Sequence, residues 1–311
     1  MIGFFQTIPG ALILLIVGFV FLIKGADFFV EGASAVAKKL HVPALVIGMT
    51  IVAMGTSLPE LSVSVTASLA NSNQLAIGNV VGSNIFNLMV VLGSCALFSA
   101  LEVADDTIKK DFPFSVACAI ALMIMGLIGN SVGHLDGVIL LVAFIIFLYS
   151  MLRAAKKSRQ AAAEAEEIEE EIVNLPVWRC IVYIIGGAVA IKFGMSETLV
   201  GLTIVALGTS LPELVTSIVA AKKNELDMAI GNVVGSNIFN ILLILGVAGA
   251  ISPMTYLTVN AIDTLILVGF SAVVWIMCIK KKNLNRANGI IMLLLYAAYL
   301  GYIILRDGGI A

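Results

Sequence analysis

The sequence predicts an all-α polytopic membrane protein with about ten transmembrane helices, arranged as two inverted-topology repeats of five helices. Three observations support this fold class. The 311 residues are 60% hydrophobic with a mean hydropathy of +1.08, and only 12% are charged, about half of the roughly 25% found in soluble domains. Apolar runs close to the ~20 residues that cross a bilayer recur along the chain. A long internal duplication divides the chain into two halves.

Residues 47–93 and 200–246 are two copies of one segment. Each residue of the first copy has its partner 153 positions later, without insertion or deletion, and 29 of the 47 pairs are identical. Self-similarity of this kind indicates an internal repeat. The apolar first half of each copy contains one acidic residue, Glu60 in the first and Glu213 in the second.

The apolar runs give ten candidate spans, at 11–36, 43–70, 76–99, 112–130, 134–152, 177–192, 196–220, 228–251, 260–279 and 287–305. A polar segment at 153–176 is predicted to be a charged cytoplasmic loop, and it separates a first five-helix repeat (1–152) from a second (177–311). The sixth span has only about 15 apolar residues. As a helix these rise about 23 Å, less than the ~30 Å hydrocarbon core, so the first helix of the second repeat is expected to be shortened.

Lysine and arginine predict the orientation, because cytoplasmic loops collect them. With both termini outside, the outer side holds only Lys192 and Arg306. The inner side then holds Lys38, Lys39, Lys109, Lys110, Arg153, Lys156, Lys157, Arg159, Lys222, Lys223, Lys280, Lys281, Lys282 and Arg286. Five spans in each half make the second copy enter the membrane from the opposite side. Inverted repeats of this kind place a substrate site near the midplane of secondary transporters.

The first motif is GTSLPE, at 55–60 and again at 208–213. Pro59 has no N–H for the carbonyl of Gly55, so the helix is expected to open at that turn. Thr56 and Ser57 precede Glu60 by four and three residues and therefore share its helix face. Hydroxyls, freed carbonyls and one carboxylate are thus expected to converge. The second copy repeats the arrangement with Thr209, Ser210, Pro212 and Glu213.

The second motif is GNVVGSN, at 78–84 and 231–237, followed by Asn87 or Asn240. Its two glycines, four apart, allow close approach of two helices. Ser83 and Asn87 lie four apart on one face and offer two more oxygens, as do Ser236 and Asn240. The remaining asparagines of the motif are expected to cap or bridge helices: Asn79, Asn84, Asn232 and Asn237.

The potential ligands are all oxygens, a set that hard cations prefer and of which Ca²⁺ takes six to eight. Two buried carboxylates without a cation would repel each other, and one would take up a proton. We therefore expect Ca²⁺, Na⁺ or protons to occupy the site in turn, and such competition for one site is what an antiporter requires. For single hydroxyls and amides, hydrogen bonding between helices is the rival role.

The duplicated motifs resemble those of the Ca²⁺/cation antiporter superfamily, in particular its prokaryotic sodium/calcium exchanger-like branch, and the resemblance extends over nearly the whole chain. It implies that Glu60 and Glu213 are the principal Ca²⁺ ligands. It also implies that Na⁺ and Ca²⁺ are bound by further hydroxyl, amide and backbone oxygens of Thr56, Thr209, Ser57, Ser210, Ser83, Ser236, Asn87, Asn240, Ala53 and Ala206.

The expected function is therefore a secondary antiporter, not an enzyme, that exchanges Ca²⁺ for Na⁺ in the cytoplasmic (inner) membrane. The alternative is Ca²⁺/H⁺ exchange through the same two glutamates. A passive channel is less consistent with two repeats in one chain than with a fourfold ring. An intramembrane hydrolase is less consistent with a sequence that contains no HExxH motif. The expected partners are inorganic cations and the lipid bilayer, with no organic cofactor and no nucleic acid, while monomer and homo-oligomer both stay open.

Overall fold

The structure, a computed structural model, describes residues 8–69, 73–164 and 209–307. Side chains are described for 23–69, 75–158, 160 and 209–306. The predicted sixth span (177–192), most of the seventh, the end of the 153–176 loop and Ala206 lie outside these ranges.

The described residues are almost entirely helical. The helices of the first half are α1 (Ile8–Leu40), α2 (Ala44–Thr56), α3 (Leu58–Leu69), α4 (Asn73–Phe86, continued by Asn87–Val91 and Leu92–Phe98), α5 (Thr107–Asp111 with Phe112–Leu127) and α6 (His134–Glu164). Those of the second half are α7 (Leu211–Lys222), α8 (Leu226–Phe239, continued by Asn240–Ile244 and Leu245–Ile251), α9 (Thr258–Lys281) and α10 (Arg286–Asp307).

Six of these helices are long and apolar enough to cross a membrane, or seven if the bent pair α2–α3 counts as one span. Nine of the ten predicted spans thus coincide, wholly or in part, with described helices. The main difference is at α6, which continues past the predicted end at 152 as far as Glu164. The reason is local composition, because 153–164 is rich in Ala, Lys, Arg and Gln, which favour helix, and has neither Gly nor Pro.

The repeat is visible in the backbone as well as in the sequence. Both α4 and α8 contain one π-helical turn, Asn87–Val91 and Asn240–Ile244, in which each residue of the first lies 153 positions before its partner in the second. Both helices end at a serine in extended conformation, Ser99 or Ser252. Equivalent sequences therefore adopt equivalent local structure, including a π-helical turn, a conformation that is rare in proteins in general.

The two halves interlock around α4 and α8. These helices are 78% buried over their apolar windows, whereas α6, α9 and α10 are between 17% and 28% buried and form the periphery. The last helix of each half packs on the central helix of the other half, α6 on α8 and α10 on α4. Equivalent aromatic contacts join these pairs, because Phe144 meets Phe239 edge-on and Tyr296 meets Phe86 edge-on.

Short antiparallel strand pairs add further links between the halves. β1 (Leu101–Glu102) pairs with β4 (Asn283–Leu284), and β2 (Ser131–Val132) pairs with β3 (Met254–Thr255). Each pair joins a loop of the first half to a loop of the second. The backbone polar groups of these loops are thereby satisfied within the protein.

Glycines set the distance at both helix crossings. A Cβ added to Gly137 of α6 would lie 2.4 Å from the backbone nitrogen of Ala250 in α8, and one added to Gly289 of α10 would lie 2.6 Å from the carbonyl oxygen of Gly93 in α4. Gly231, a motif glycine of α8, allows the same close approach to α2, because a Cβ on Gly231 would lie 2.6 Å from the carbonyl oxygen of Leu45. Close backbone contact through small residues is the usual means of packing helices in membranes.

We expect Gly137→Ala to destabilise the protein by about 1–3 kcal/mol, since the new methyl group overlaps backbone atoms that cannot turn away. Thermal unfolding of the purified protein in detergent measures the effect. The matched control is Gly269→Ala, because Gly269 is exposed on α9 and a Cβ there meets nothing within 4 Å among the described residues. An unchanged melting temperature for Gly137→Ala would show that α6 and α8 do not cross at this distance.

Candidate functional site

The two glutamates follow two equivalent breaks in the helices. Ser57 lies between α2 and α3 with φ −83° and ψ 7°, and Ser210 precedes α7 with φ −90° and ψ 4°. The chain bends by 48° between α2 and α3. A proline two residues after each serine removes a backbone donor at this point. Glu60 and Glu213 then occupy the first turn of α3 and α7, and both side chains are 0% exposed.

Each carboxylate is hydrogen-bonded by the serine of the other repeat. Ser57 Oγ donates to Glu213 Oε1 at 3.0 Å, and Ser210 Oγ donates to Glu60 Oε1 at 3.0 Å. The two breaks therefore face each other across a shared centre. In the part of the chain that is described, neither carboxylate forms a salt bridge with a lysine, arginine or histidine.

The threonines of the motif bond to asparagines of the opposite repeat. Thr56 Oγ1 donates to Asn232 Oδ1 at 3.2 Å, and Thr209 Oγ1 donates to Asn79 Oδ1 at 3.4 Å. The asparagine amides in turn donate to serines two turns along α7 and α3, from Asn232 to Ser217 at 2.9 Å and from Asn79 to Ser64 at 3.2 Å. These chains hold the motif threonines in place relative to α8 and α4.

A second pair of asparagines joins α4 to α8 directly. Asn84 Nδ2 donates to the carbonyl oxygen of Asn237 at 3.1 Å, and Asn237 Nδ2 donates to that of Asn84 at 3.3 Å. Their side-chain oxygens accept from the residues that open the π-helical turns, at 3.3 Å from Asn87 Nδ2 and 2.9 Å from Asn240 Nδ2. The amide nitrogens of Asn87 and Asn240 are thereby fixed, which directs each Oδ1 to the opposite side.

Ten buried side-chain oxygens have no hydrogen-bond partner among the described residues. Six of them form three equivalent pairs: Glu60 Oε2 and Glu213 Oε2, Ser83 Oγ and Ser236 Oγ, and Asn87 Oδ1 and Asn240 Oδ1. All six residues are fully buried. A buried polar atom without a partner costs about 1–3 kcal/mol, and more when it is charged. Such a symmetric set of unpaired oxygens indicates that something else satisfies them.

The chemistry of the set fits a hard cation. All the atoms are oxygens, and two of them belong to carboxylates. Carboxylate, amide and hydroxyl oxygens are the ligands that Ca²⁺ takes in proteins, and soft transition metals favour other donors.

The structure describes eleven of the twelve predicted site residues, and Ala206 lies outside the described residues. Four of the eleven lie in the middle of α4 and α8: Ser83, Asn87, Ser236 and Asn240. The other seven lie at the two helix breaks: Ala53, Thr56, Ser57, Glu60, Thr209, Ser210 and Glu213. Ala53 is fully buried, and its carbonyl oxygen accepts from the backbone N–H of Ser57 at 3.0 Å. The four remaining motif asparagines bridge helices, as the sequence predicts. Their contacts join the two repeats to each other.

Ser64 and Ser217 are part of the network and were missed from the sequence. They support Asn79 and Asn232 from beneath the carboxylates. A signal was present, because they are identical residues at equivalent positions of the repeat, each four residues after its glutamate and on the same helix face.

Comparison with known proteins agrees with the family resemblance. The chain matches the family described as sodium/calcium exchanger protein over residues 10–153 and 175–305. It is 37% identical to the putative antiporter CaxA of Alkalimonas amylolytica, over 94% of this chain and 97% of that protein. It is 33% identical to the inner membrane protein YrbG of Escherichia coli (strain K12), over 84% of this chain and 88% of that protein.

A similar fold is found in a solved structure of the sodium-calcium exchanger NCX_Mj soaked with 2.5 mM Na⁺ and 0.1 mM Ca²⁺. The TM-score is 0.81 at 30% sequence identity, and the match covers 95% of this chain and 99% of that one. The duplicated motifs, the helical architecture and these matches lead to one conclusion. The chain is an integral membrane protein that belongs to the sodium/calcium exchanger family.

Proposed function

We propose that the protein is a secondary active antiporter that exchanges Ca²⁺ for Na⁺ by alternating access. The observation that carries this proposal is the pair of buried carboxylates, each bonded through one oxygen by the opposite repeat and each with its second oxygen unpaired. One divalent cation between them would balance both charges.

The number of available oxygens supports a Ca²⁺ site of the usual size. Ca²⁺ takes six to eight oxygens at about 2.3–2.6 Å, and the carboxylates of Glu60 and Glu213 can each provide two. The unpaired amide oxygens of Asn87 and Asn240 bring the set to six. Because the serine donors hold Oε1 of each carboxylate, Oε2 is the atom free to bind the ion first.

Na⁺ can use the same region with a different selection of oxygens. The hydroxyls of Ser57 and Ser210 bind the carboxylates directly. The family resemblance adds the hydroxyls of Thr56, Thr209, Ser83 and Ser236 and the carbonyls of Ala53 and Ala206. Since Na⁺ and Ca²⁺ share the carboxylates, they cannot fill the centre together. When Ca²⁺ leaves, other cations must screen two buried charges before the site can cross the membrane, and this requirement couples the two fluxes.

Ca²⁺/H⁺ exchange is the second candidate, and the same unpaired Oε2 atoms favour it. A carboxyl group that carries a proton on Oε2 while Oε1 accepts from a serine is a complete hydrogen-bonding unit with no charge. Protons could therefore replace Na⁺ as the ions that neutralise the empty site.

We further propose that the ten predicted spans form two five-helix repeats of inverted topology in the inner membrane, with both termini outside. The name of the E. coli relative, the equivalent π-helical turns and the one-sided distribution of lysine and arginine support this arrangement. The transported ions are the substrates, and no organic cofactor is involved.

We expect Glu60→Gln and Glu213→Gln each to abolish Ca²⁺ transport, with a loss of affinity for Ca²⁺ of more than about 100-fold. Each change removes a buried charge that pairs with the cation, and losing one partner of a buried pair costs about 3–5 kcal/mol. Uptake of ⁴⁵Ca²⁺ into vesicles that contain the purified protein measures transport.

The matched control is Glu102→Gln, because Glu102 is an exposed glutamate on β1, outside the site. It should transport as the wild type does. Thermal unfolding without Ca²⁺ separates misfolding from lost ligation, since glutamine removes an unpaired buried charge and the variants should unfold no earlier than the wild type. Transport by Glu60→Gln or Glu213→Gln at wild-type rates would rule out the site.

The counter-ion is identified by imposing one gradient at a time on the same vesicles. With the pH clamped and a protonophore present, an outward Na⁺ gradient should drive Ca²⁺ uptake, because Na⁺ leaving the site recharges the carboxylates for Ca²⁺. A gradient of choline of equal size is the control. Ca²⁺ uptake that is driven by a pH gradient and not by a Na⁺ gradient would show that the counter-ion is H⁺ and would contradict Na⁺ exchange.

A further inference from the structure

A cavity of about 320 Å³ lies at one end of the α9–α10 hairpin, away from the carboxylates. Its polar wall comes from both helices, and its apolar wall comes from the last turns of α9. The principal lining residues are Lys280, Lys281, Asn285, Asn288, Ile276 and Met277. The volume is at the lower end of the range for small-molecule sites.

No acidic side chain among the described residues neutralises the positive charge of this cavity. Lys280, Lys281 and the neighbouring Arg286 form no ion pair with any described residue. Asp105, in the loop before α5, is already paired, because it binds Lys282 at 2.7 Å and Lys109 at 3.3 Å. Hydrogen bonds from these two lysines hold the pKa of Asp105 below its ordinary value, so this carboxylate stays charged and paired.

The two asparagines contribute hydrogen-bond donors to the cavity. The backbone N–H of Asn285 donates to Asn288 Oδ1 at 3.1 Å, and the N–H of Asn288 donates to Asn285 Oδ1 at 3.1 Å. Because both amide oxygens are used in this way, the NH₂ groups are the parts that stay available. Two ammonium groups and two amide NH₂ groups are the polar part of a lining that is otherwise mainly apolar, and these donors suit an anion.

An apolar surface continues from the cavity along the outside of the hairpin. Ile276, which lines the cavity, is 51% exposed, and Ile279 on the same helix is 50% exposed. Ile290 and Leu294 on α10 are 51% and 65% exposed and lie four residues apart on one face. In an integral membrane protein, side chains of this kind meet hydrocarbon. A mainly apolar cavity with four donor groups, next to such a surface, fits a ligand that is anionic at one end and apolar at the other.

We propose that the end of the α9–α10 hairpin is a binding site for an anionic phospholipid. Its phosphate is held by Lys280 and Lys281 with the amides of Asn285 and Asn288, and its acyl chains lie along the exposed isoleucines. Cavities lined by basic residues between transmembrane helices are suited to anionic headgroups. The apolar surface favours a lipid over free phosphate, and the site does not depend on which ion the protein transports.

The site is attached to the ion-binding core through α10. Gly289, one residue after Asn288, lies against the carbonyl oxygen of Gly93 in α4, the helix that carries Asn87. A lipid bound here therefore contacts the end of a helix that is packed directly on the centre of the protein, and we expect binding to raise the temperature of unfolding.

The test uses the whole protein, purified in detergent and titrated with phosphatidylglycerol. Binding is measured by native mass spectrometry and by thermal unfolding. Lys280→Gln with Lys281→Gln should weaken binding about 25-fold, since each lysine near an anionic lipid contributes a factor of about 5. The matched control is Lys38→Gln with Lys39→Gln, which removes two exposed lysines from the end of α1 and should bind as the wild type does.

Further arms identify the source of the phosphate and guard against an indirect effect. Phosphatidylcholine and inorganic phosphate at equal concentration should produce little stabilisation, and 0.5 M NaCl should weaken phosphatidylglycerol binding. Unfolding of the Lys280/Lys281 variant without lipid should match the wild type. Equal loss in the Lys38/Lys39 control, wild-type affinity in the Lys280/Lys281 variant, or stabilisation by inorganic phosphate equal to that by the lipid would each overturn the proposal.

Discussion

The structure depends on two buried carboxylates that no basic side chain in the described residues neutralises. Burying one charge is costly, and burying two of the same sign is more so. Polar contacts between the repeats offset part of this cost, because each carboxylate accepts from a serine of the opposite repeat. The remaining oxygens stay unpaired, which is a stable arrangement only when a cation or a proton is bound. Occupancy and fold are therefore linked at the centre of the molecule.

The surrounding helices explain how this centre is kept in register. The polar chain from Thr56 through Asn232 to Ser217 begins in one repeat and ends in the other, as does the equivalent chain from Thr209 through Asn79 to Ser64. The outer contacts follow the same rule, with α6 on α8, α10 on α4 and each short strand pair shared between halves. Neither repeat can complete the site alone, so the duplication is a requirement of the site and not only a record of its origin.

The duplication made much of this predictable from the sequence. Two copies at a constant offset located the proline breaks, both glutamates and the hydroxyls beside them, and the long apolar runs located nine of the ten spans at least in part. The crosswise pairing of Ser57 with Glu213 was not predictable, because Ser57 is three residues from Glu60 and could equally face its own carboxylate. Which serine meets which glutamate depends on how the two repeats face each other. The extension of α6 to Glu164 was missed for another reason, since span prediction weighs hydropathy and this segment is polar but strongly helical.

One set of contacts departs from the repeat symmetry. Lys223, in the turn between α7 and α8, binds Asp27 at 2.7 Å and Glu31 at 3.7 Å on α1, and Ser34 donates a short hydrogen bond to Glu225. The position equivalent to Lys223 in the first repeat is Ala70, so the same contact cannot form there. Partly exposed ion pairs contribute only about 0–1 kcal/mol each. In a two-state protein with nearly equal states, however, 1 kcal/mol changes the population ratio about fivefold. Any movement of α1 past this turn must break these bonds, so they favour the position of α1 seen here. In a perfectly symmetric pair of repeats, these bonds would favour neither of the two states.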